Sequence, residues 1–573
     1  MKVLLPKELS GTKFAKVLGI ELNDFDIGRL LPGLFYLVVA DGFGSSEKIR
    51  DDETVDKNLN LLAQHQDLVG FDGSDGKLLL ERLIRSTLIT TTRIASDRQK
   101  ERVATIKPYS LVAMKTAETR GQRRTDVFIY QVLKSVLSEG GTLKSHLIRI
   151  FGRGVNVKGR PEVDGKYDEH TDLDTLTRLS IMFLDGFRSV PSTNMKRDRE
   201  DMLGACPSLA KAIGVDILNY LTAYYNLMPT QAFMHYLQGL LRFELCIYTL
   251  KVAYAVNELI ISPDILPEAM HEDFRPSLPQ IYLDFTGKLG NESARMAKDS
   301  IKQDIEAYQQ FFTSNLMLRQ LDSYVNQLRE PTVSLRSLVE SELEGAEAGP
   351  LYLQKLLTLQ NHPRIGGRLI TKAEEDIDKI RKCNSSLKDG QKSEGEDEDL
   401  AWLEAIAASG ETELECVVAL LSEAQRGNTI TKYIKWFWDI GGNDRAFGLI
   451  EGRRNYRPLW KYAPTNELLS ALVQLAATRI GPSGGQDKND KGVYTIRLQD
   501  FLSFLEERFG ILIDRPPDRF IGAEYAAAAR ENLHAMLRRL RQMGIFRDLS
   551  DDFTAQRLYP PYAGEYLEMM EIS

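Results

Sequence analysis

The sequence predicts a mainly α, multidomain helical protein, and three observations carry that prediction. Apolar residues recur at three- and four-residue steps through most of the chain after Pro207, the spacing that places them on one helix face. At 573 residues the chain has room for three or four domains of ~150 residues each. Apolar residues make up 43% and charged residues 27%, which fits a folded globular protein and excludes a disordered or polycationic one.

Taken in order, residues 1–206 read as a mixed, mainly helical N-terminal domain. Met1–Lys7 breaks at Pro6 after three apolar residues, too short for the core of a signal peptide. Phe35–Ala40 is a compact apolar run ending at Asp41-Gly42. Gly73-Ser74-Asp75-Gly76-Lys77 lacks the spacing of a phosphate loop and reads as a turn and N-cap ahead of a helix over 78–88. From Arg93 to Arg160 there are fifteen Lys or Arg against five Asp or Glu, an excess of ten in a chain whose net charge is −8. Arg120, Arg123, Arg124, Arg149, Arg153, Lys158 and Arg160 are the candidate nucleic-acid contacts here, around a helix expected over 125–137. Loops of Gly and Arg can track a phosphate backbone, with affinity that falls steeply with salt. The alternative is that these cations pair with the acidic excess elsewhere.

Glu162–Asp174 clusters Asp164, Asp168, Glu169, His170, Asp172 and Asp174 beside Lys166. Such a cluster can hold a hard divalent cation, and Asp164-Gly165-Lys166 loosely matches a nuclease pattern. A helix expected over 173–184 offers the simpler explanation, an acidic turn capping its N-terminus. No metal and no cofactor are therefore assigned, and no catalytic residue is named.

Residues 207–382 form a helical core domain. Ile217–Leu241 lacks charge but contains Asn219, Asn226, Pro229, Gln231 and His235, so it reads as two buried helices meeting near Pro229, with no membrane segment. His235 and Glu244 sit in this apolar context as an expected buried pair. Ile301, Ile305, Tyr308, Phe312, Leu318, Leu321 and Val325 mark one long amphipathic helix. A flexible acidic linker is expected over 383–399, where no apolar residue follows Leu387 until Leu400. Residues 400–482 then form a helical segment rich in aromatic and basic residues. Lys432–Tyr462 holds seven cations, three acids and eight aromatics including Trp436, Trp438 and Trp460. That mixture suits base stacking with phosphate contact, or equally a packed core. Gly481–Gly485 fits the letters of a serine nucleophile elbow but opens a polar loop, not a strand–helix turn.

The C-terminal residues 493–565 change the pattern: a helix over 498–509, a short apolar strand at 511–513, a Pro516-Pro517 turn and a longer helix over 524–543. Strand-like segments at 545–549 and 554–559 follow, joined by Ser550-Asp551-Asp552. This order resembles a winged-helix module, so the full expectation is a multidomain helical protein with a C-terminal winged-helix-like α+β module. In the long helix Leu533, Met536, Leu537, Leu540 and Met543 share one face, while Arg530, His534, Arg538 and Arg541 share the other. Arg547 and Arg557 would add charge near the wing. The resemblance implies that this helix presents cations to phosphates or base edges, although winged helices also dock proteins.

Four widely spaced cysteines with no CxxC pair point to a reducing cytoplasm. The expected role is a non-enzymatic nucleic-acid-associated scaffold or regulatory subunit, with DNA or RNA and protein partners. That architecture is compatible with a bacterial DNA-processing or anti-phage defence system, which no motif shows. The alternatives are a protein adaptor without nucleic-acid contact, and a divalent-metal nuclease around 162–174.

Overall fold

The computed structural model describes residues 3–563 apart from 13, 24–25, 46–51, 67, 72, 95–96, 118–123, 138–139, 159–161, 165–167, 169, 188–191, 197–202, 272–278, 331–332, 386–395, 480–494 and 548–555. Among the described residues helices dominate, and the strands form two-stranded pairings between them.

In the N-terminal part, Asp26 accepts a hydrogen bond from the Gly28 amide and starts α1 (Ile27–Val39), which takes up most of the apolar run Phe35–Ala40. α2 (Thr125–Val136) packs against it, and α3 (Gly140–Phe151) follows. β1 (Asn156–Lys158) and β2 (Glu162–Asp164) pair antiparallel. Asp174 then caps α4 (Thr175–Asp185).

The centre is built from long helices. Pro207 opens α5 (Pro207–Tyr224) at a first-turn position that needs no amide proton. Pro229 precedes α6 (Thr230–Ile261), so the apolar stretch does divide into two buried helices at that proline. No helix among the described residues is long and apolar enough to cross a membrane. The extended β3 (Ile281–Tyr282) leads to Asn291, whose side chain caps α7 (Glu292–Leu328). At 1.5 Å per residue its 37 residues run roughly 55 Å. α8 (Gly366–Ser385) and α9 (Glu396–Ala407) enter the acidic stretch expected to be a linker from both sides, and 386–395 lie outside the described residues. A reciprocal Thr412–Glu415 capping box starts α10 (Glu413–Gly441), which packs with α7 and α6.

A hairpin of β4 (Ile450–Arg453) and β5 (Tyr456–Tyr462) follows, then α11 (Asn466–Arg479). The C-terminal part contains β6 (Ile496–Arg497), α12 (Leu498–Phe509), β7 (Ile511–Leu512), α13 (Ala523–Gln542) and β8 (Arg557–Leu558). β6 pairs antiparallel with β8, and Phe546 bridges to Leu558. β7 instead pairs in parallel with β3, Ile511 opposite Ile281 and Leu512 opposite Tyr282. One apolar core runs from the N-terminal helices through α6 and α7 to α12 and α13.

Candidate nucleic-acid interface

α13 divides as its periodicity requires. Ala529, Leu533, Met536, Leu537 and Leu540 are buried, while Arg530, His534, Arg538 and Arg541 are exposed on the opposite face. Gly544, at φ +72°, ends the helix, and the Ile545 amide bonds back to the Leu540 carbonyl. Arg539 and Arg541 occupy the last turn, where cations complement the helix dipole. Among the described residues, the side chains of Arg530, His534 and Arg538 make no hydrogen bond or ion pair. Glu531 is held below the usual carboxylate range, first by its hydrogen bond from Lys288 at 2.7 Å and then by the charges of Lys288 and Arg538. Arg541 lies over the Phe546 ring at 5.8 Å and Arg547 over Tyr559 at 4.7 Å. Exposed Arg557 donates to the Thr495 hydroxyl at 3.1 Å.

A residue that periodicity could not flag holds this helix in place. Asn532 is fully buried; its carbonyl oxygen accepts from the Phe285 amide at 2.6 Å, and its nitrogen donates to Leu283 O at 2.7 Å and Ile513 O at 3.1 Å. Arg539, unlike its neighbours, turns inward: it bonds Asn466 and lies 5.8 Å from the Phe285 ring centre, and burial lowers its pKa.

The basic 93–160 region is partly used up within the fold. Buried Lys115 donates to the carbonyls of Leu184 and Asp185, and Lys144 to that of Val39. Arg124 sits at φ +68° ahead of α2. Arg149 is exposed beside His146 and over the Tyr225 ring at 5.6 Å, and exposed Arg153 reaches the Asp172 carbonyl at 3.4 Å. Lys158 lies in β1, and Arg120, Arg123 and Arg160 fall outside the described residues.

Two members of the acidic cluster are engaged locally, Asp168 in a turn and Asp174 in a helix cap. Asp168 accepts from the Thr171 hydroxyl at 2.6 Å and from the Thr171 and His170 amides, which hold its carboxyl below the usual range. Burial pushes Asp174 up, but bonds from Thr177 and the Leu176 amide outweigh it as the residue caps α4. Among the described residues no three His, Cys, Asp or Glu side chains group to hold a metal ion.

Between 432 and 462 the tryptophans are core. Trp436, Trp438 and Trp460 are buried, with Trp438 and Trp460 stacked at 4.8 Å. Lys461, 2% exposed, pairs with Asp284 at 2.6 Å. His235 and Glu244, expected as a pair, go separate ways. His235 meets the edge of Phe447 at 4.8 Å, whereas Glu244 accepts from Arg508 at 3.0 Å. Arg508 also bonds Asp216, which holds Arg479 as well, and Lys251 donates to the Arg508 carbonyl at 2.7 Å. Burial raises the pKa of Glu244, opposed by Arg508 and reinforced by Asp216. This network ties α5, α6, α11 and α12 together. Its members are far apart in sequence, so no local spacing announces it.

Over residues 7–562 the chain matches the family model described as methylation-associated defense system protein MAD7. No curated protein and no solved structure matches it.

Proposed function

The chain belongs to the methylation-associated defense system protein MAD7 family, and from that premise we propose that it is a non-catalytic, DNA-binding subunit of such a system. The observation that carries the reading is the cationic face of α13: Arg530, His534 and Arg538 exposed and unpaired among the described residues, on a helix fixed from behind by Asn532. A protein at net charge −8 binds a polyanion through a local patch, and in this one only Arg538 acts on a neighbouring acid, Glu531, among the described residues. A regular helix fits the major groove of duplex DNA, whereas the deep, narrow major groove of RNA duplexes excludes it. In this reading α12, β7, α13 and the Phe546–Leu558 bridge act as a winged-helix-like unit, with Arg547 and Arg557 beside the wing. Arg149 and Arg153 form a separate, secondary contact, and the protein works in the cytoplasm with other proteins of the system.

The test is fluorescence anisotropy on labelled duplex DNA across salt concentrations, comparing wild type with Arg530→Glu/Arg538→Glu/Arg541→Glu. Each lost phosphate contact lowers the slope of log K against log salt by ~0.9, so the triple variant should lose about 2–3. Unchanged binding by the variant removes α13 as the site, and absence of wild-type binding at low salt removes the DNA reading. A second reading has its own observation. Leu289 is 68% exposed beside the Lys288–Glu531 pair, and Ile521 is 88% exposed just ahead of α13, apolar surface suited to a docked protein. A partner that co-purifies with wild type and is lost on Leu289→Asp/Ile521→Asp would favour it.

A further inference from the structure

The β4–β5 hairpin carries a second set of unspent cations. Its exposed tip is Arg453-Arg454-Asn455-Tyr456-Arg457, with Tyr456 53% exposed. Arg454 pairs with Asp439 of α10, but Arg453 and Arg457 have no hydrogen bond or ion pair from their side chains among the described residues. Lys435 and Arg445 are also exposed, and both act electrostatically on Asp439. Against these five cations stand Asp439, Asp444 and Glu451, leaving an excess of two. Glu451, at the base, is occupied with Lys461.

The tip is held rigidly. Trp460 stacks on Trp438 and donates its indole N–H to the Arg453 carbonyl at 2.8 Å, so the backbone bearing Arg453 is tied to the core. Gly452, at φ +149°, lies where an added Cβ would come 2.7 Å from the Trp460 ring, which lets the strand close over the indole. A braced backbone confines the entropy lost on binding mainly to the arginine side chains.

The hairpin also has a fixed relation to α13. Along Ile281–Phe285, the amides of Ile281 and Leu283 bond Gly510 and Leu512, and Asn532 of α13 extends that edge at Leu283 and Phe285. The amide of Asp284 faces the opposite edge and bonds the Tyr462 carbonyl of β5 at 2.8 Å, while Lys461 pairs with the Asp284 carboxylate. One extended segment therefore clamps both cationic elements. Arg539 adds a cross-tie, reaching from α13 to Asn466 just past β5.

We propose that the β4–β5 hairpin is a second duplex-DNA contact, in which Arg453 and Arg457 neutralise backbone phosphates flanking the groove entered by α13. This deepens the DNA-binding reading and rests on it. Phosphates are the fitting partner because the tip offers exposed positive charge on a braced turn.

The experiment measures duplex-DNA anisotropy with the full-length protein, as wild type, Arg453→Glu/Arg457→Glu, Arg453→Lys/Arg457→Lys and the α13 triple variant. The charge-reversed hairpin should bind about tenfold or more weakly at 100 mM salt, with the salt slope reduced by ~2. The lysine variant should retain most of the affinity, since charge is what the contact uses. Matching thermal unfolding of all forms shows that folding is not what changed, and Arg453 and Arg457 are exposed enough to expect that. A hairpin variant that binds like wild type, while the α13 variant fails, overturns this inference and leaves the α13 reading standing. Loss in the hairpin variant with no loss in the α13 variant overturns the helix contact, and with it the placement of the hairpin beside a groove filled by α13. No wild-type binding at low salt overturns both.

Discussion

Asn532 gives the sharpest prediction because its surroundings define the magnitude. Asn532→Ala removes a fully buried amide that satisfies the Phe285 N–H and the Leu283 and Ile513 carbonyls. An unsatisfied buried backbone group costs roughly 1–3 kcal/mol, and carbonyls with a second lone pair lie at the low end. Three groups, partly relieved by relaxation, give an expected loss of ~3–5 kcal/mol. Global unfolding of a multidomain chain is not a single two-state event, so the suitable assay is hydrogen exchange resolved to the 281–285 segment. At about 1.4 kcal/mol per tenfold, the Phe285 amide should exchange two to three and a half orders of magnitude faster. Asn532→Asp keeps the shape but sets a carboxylate against two carbonyl oxygens, so its loss should be larger above the carboxyl's pKa than below it. If Phe285 protection in Asn532→Ala falls less than tenfold, the side chain is not the clamp, and the rigid link between α13 and the hairpin loses its basis.

Other expectations follow from single contacts. An added Cβ at Gly239 would lie 2.3 Å from the Phe447 ring, and Phe447 itself sits at φ +63°, so Gly239→Ala should destabilise by ~1–3 kcal/mol; an unchanged melting curve contradicts this. Burial pushes the Asp304 carboxyl from 3.8 up to about 7, against the hydrogen bonds it accepts from Tyr462 and Tyr254. Because the folded value is the higher one, its contribution is complete below pH 3.8 and is lost as pH rises through about 7, by ~4 kcal/mol at most. The difference in urea midpoint between wild type and Asp304→Asn should therefore change steadily from pH 4 to 8, and a constant difference contradicts the assignment. Asp216→Ala leaves Arg479 and Arg508 without the carboxylate they share and should cost on the order of 3–5 kcal/mol, read as a lowered denaturant midpoint; a loss under 1 kcal/mol would mean the network reorganises without it.

How far the sequence could be read depended on the range of the physics involved. Helix periodicity is a local property, so the division at Pro229, the ends of α12 and α13 and the exposure of Arg530, His534, Arg538 and Arg541 followed from spacing within a few turns. The cap at Asp174 was equally local, a carboxylate three residues from the Thr177 amide it receives. By contrast, a cation looks the same in sequence whatever receives it. Only the tertiary structure shows that Lys115 and Lys144 serve carbonyls and Lys461 serves Asp284, while Arg453 and Arg457 remain free of side-chain partners among the described residues. The aromatic run at 432–462 carried the same ambiguity, since a tryptophan that stacks on a base and one that stacks on Trp460 obey the same composition.

What the sequence by itself determined is therefore the mainly α fold, the ends of α12 and α13 and the two-faced character of α13. The parallel pairing of β7 with β3, the burial of Asn532 and the clamping of α13 and the hairpin to one segment were decided by tertiary structure. Each joins residues far apart in the chain through backbone hydrogen bonds or a single amide, and no nearby periodicity encodes which distant strand supplies the other half of the bond.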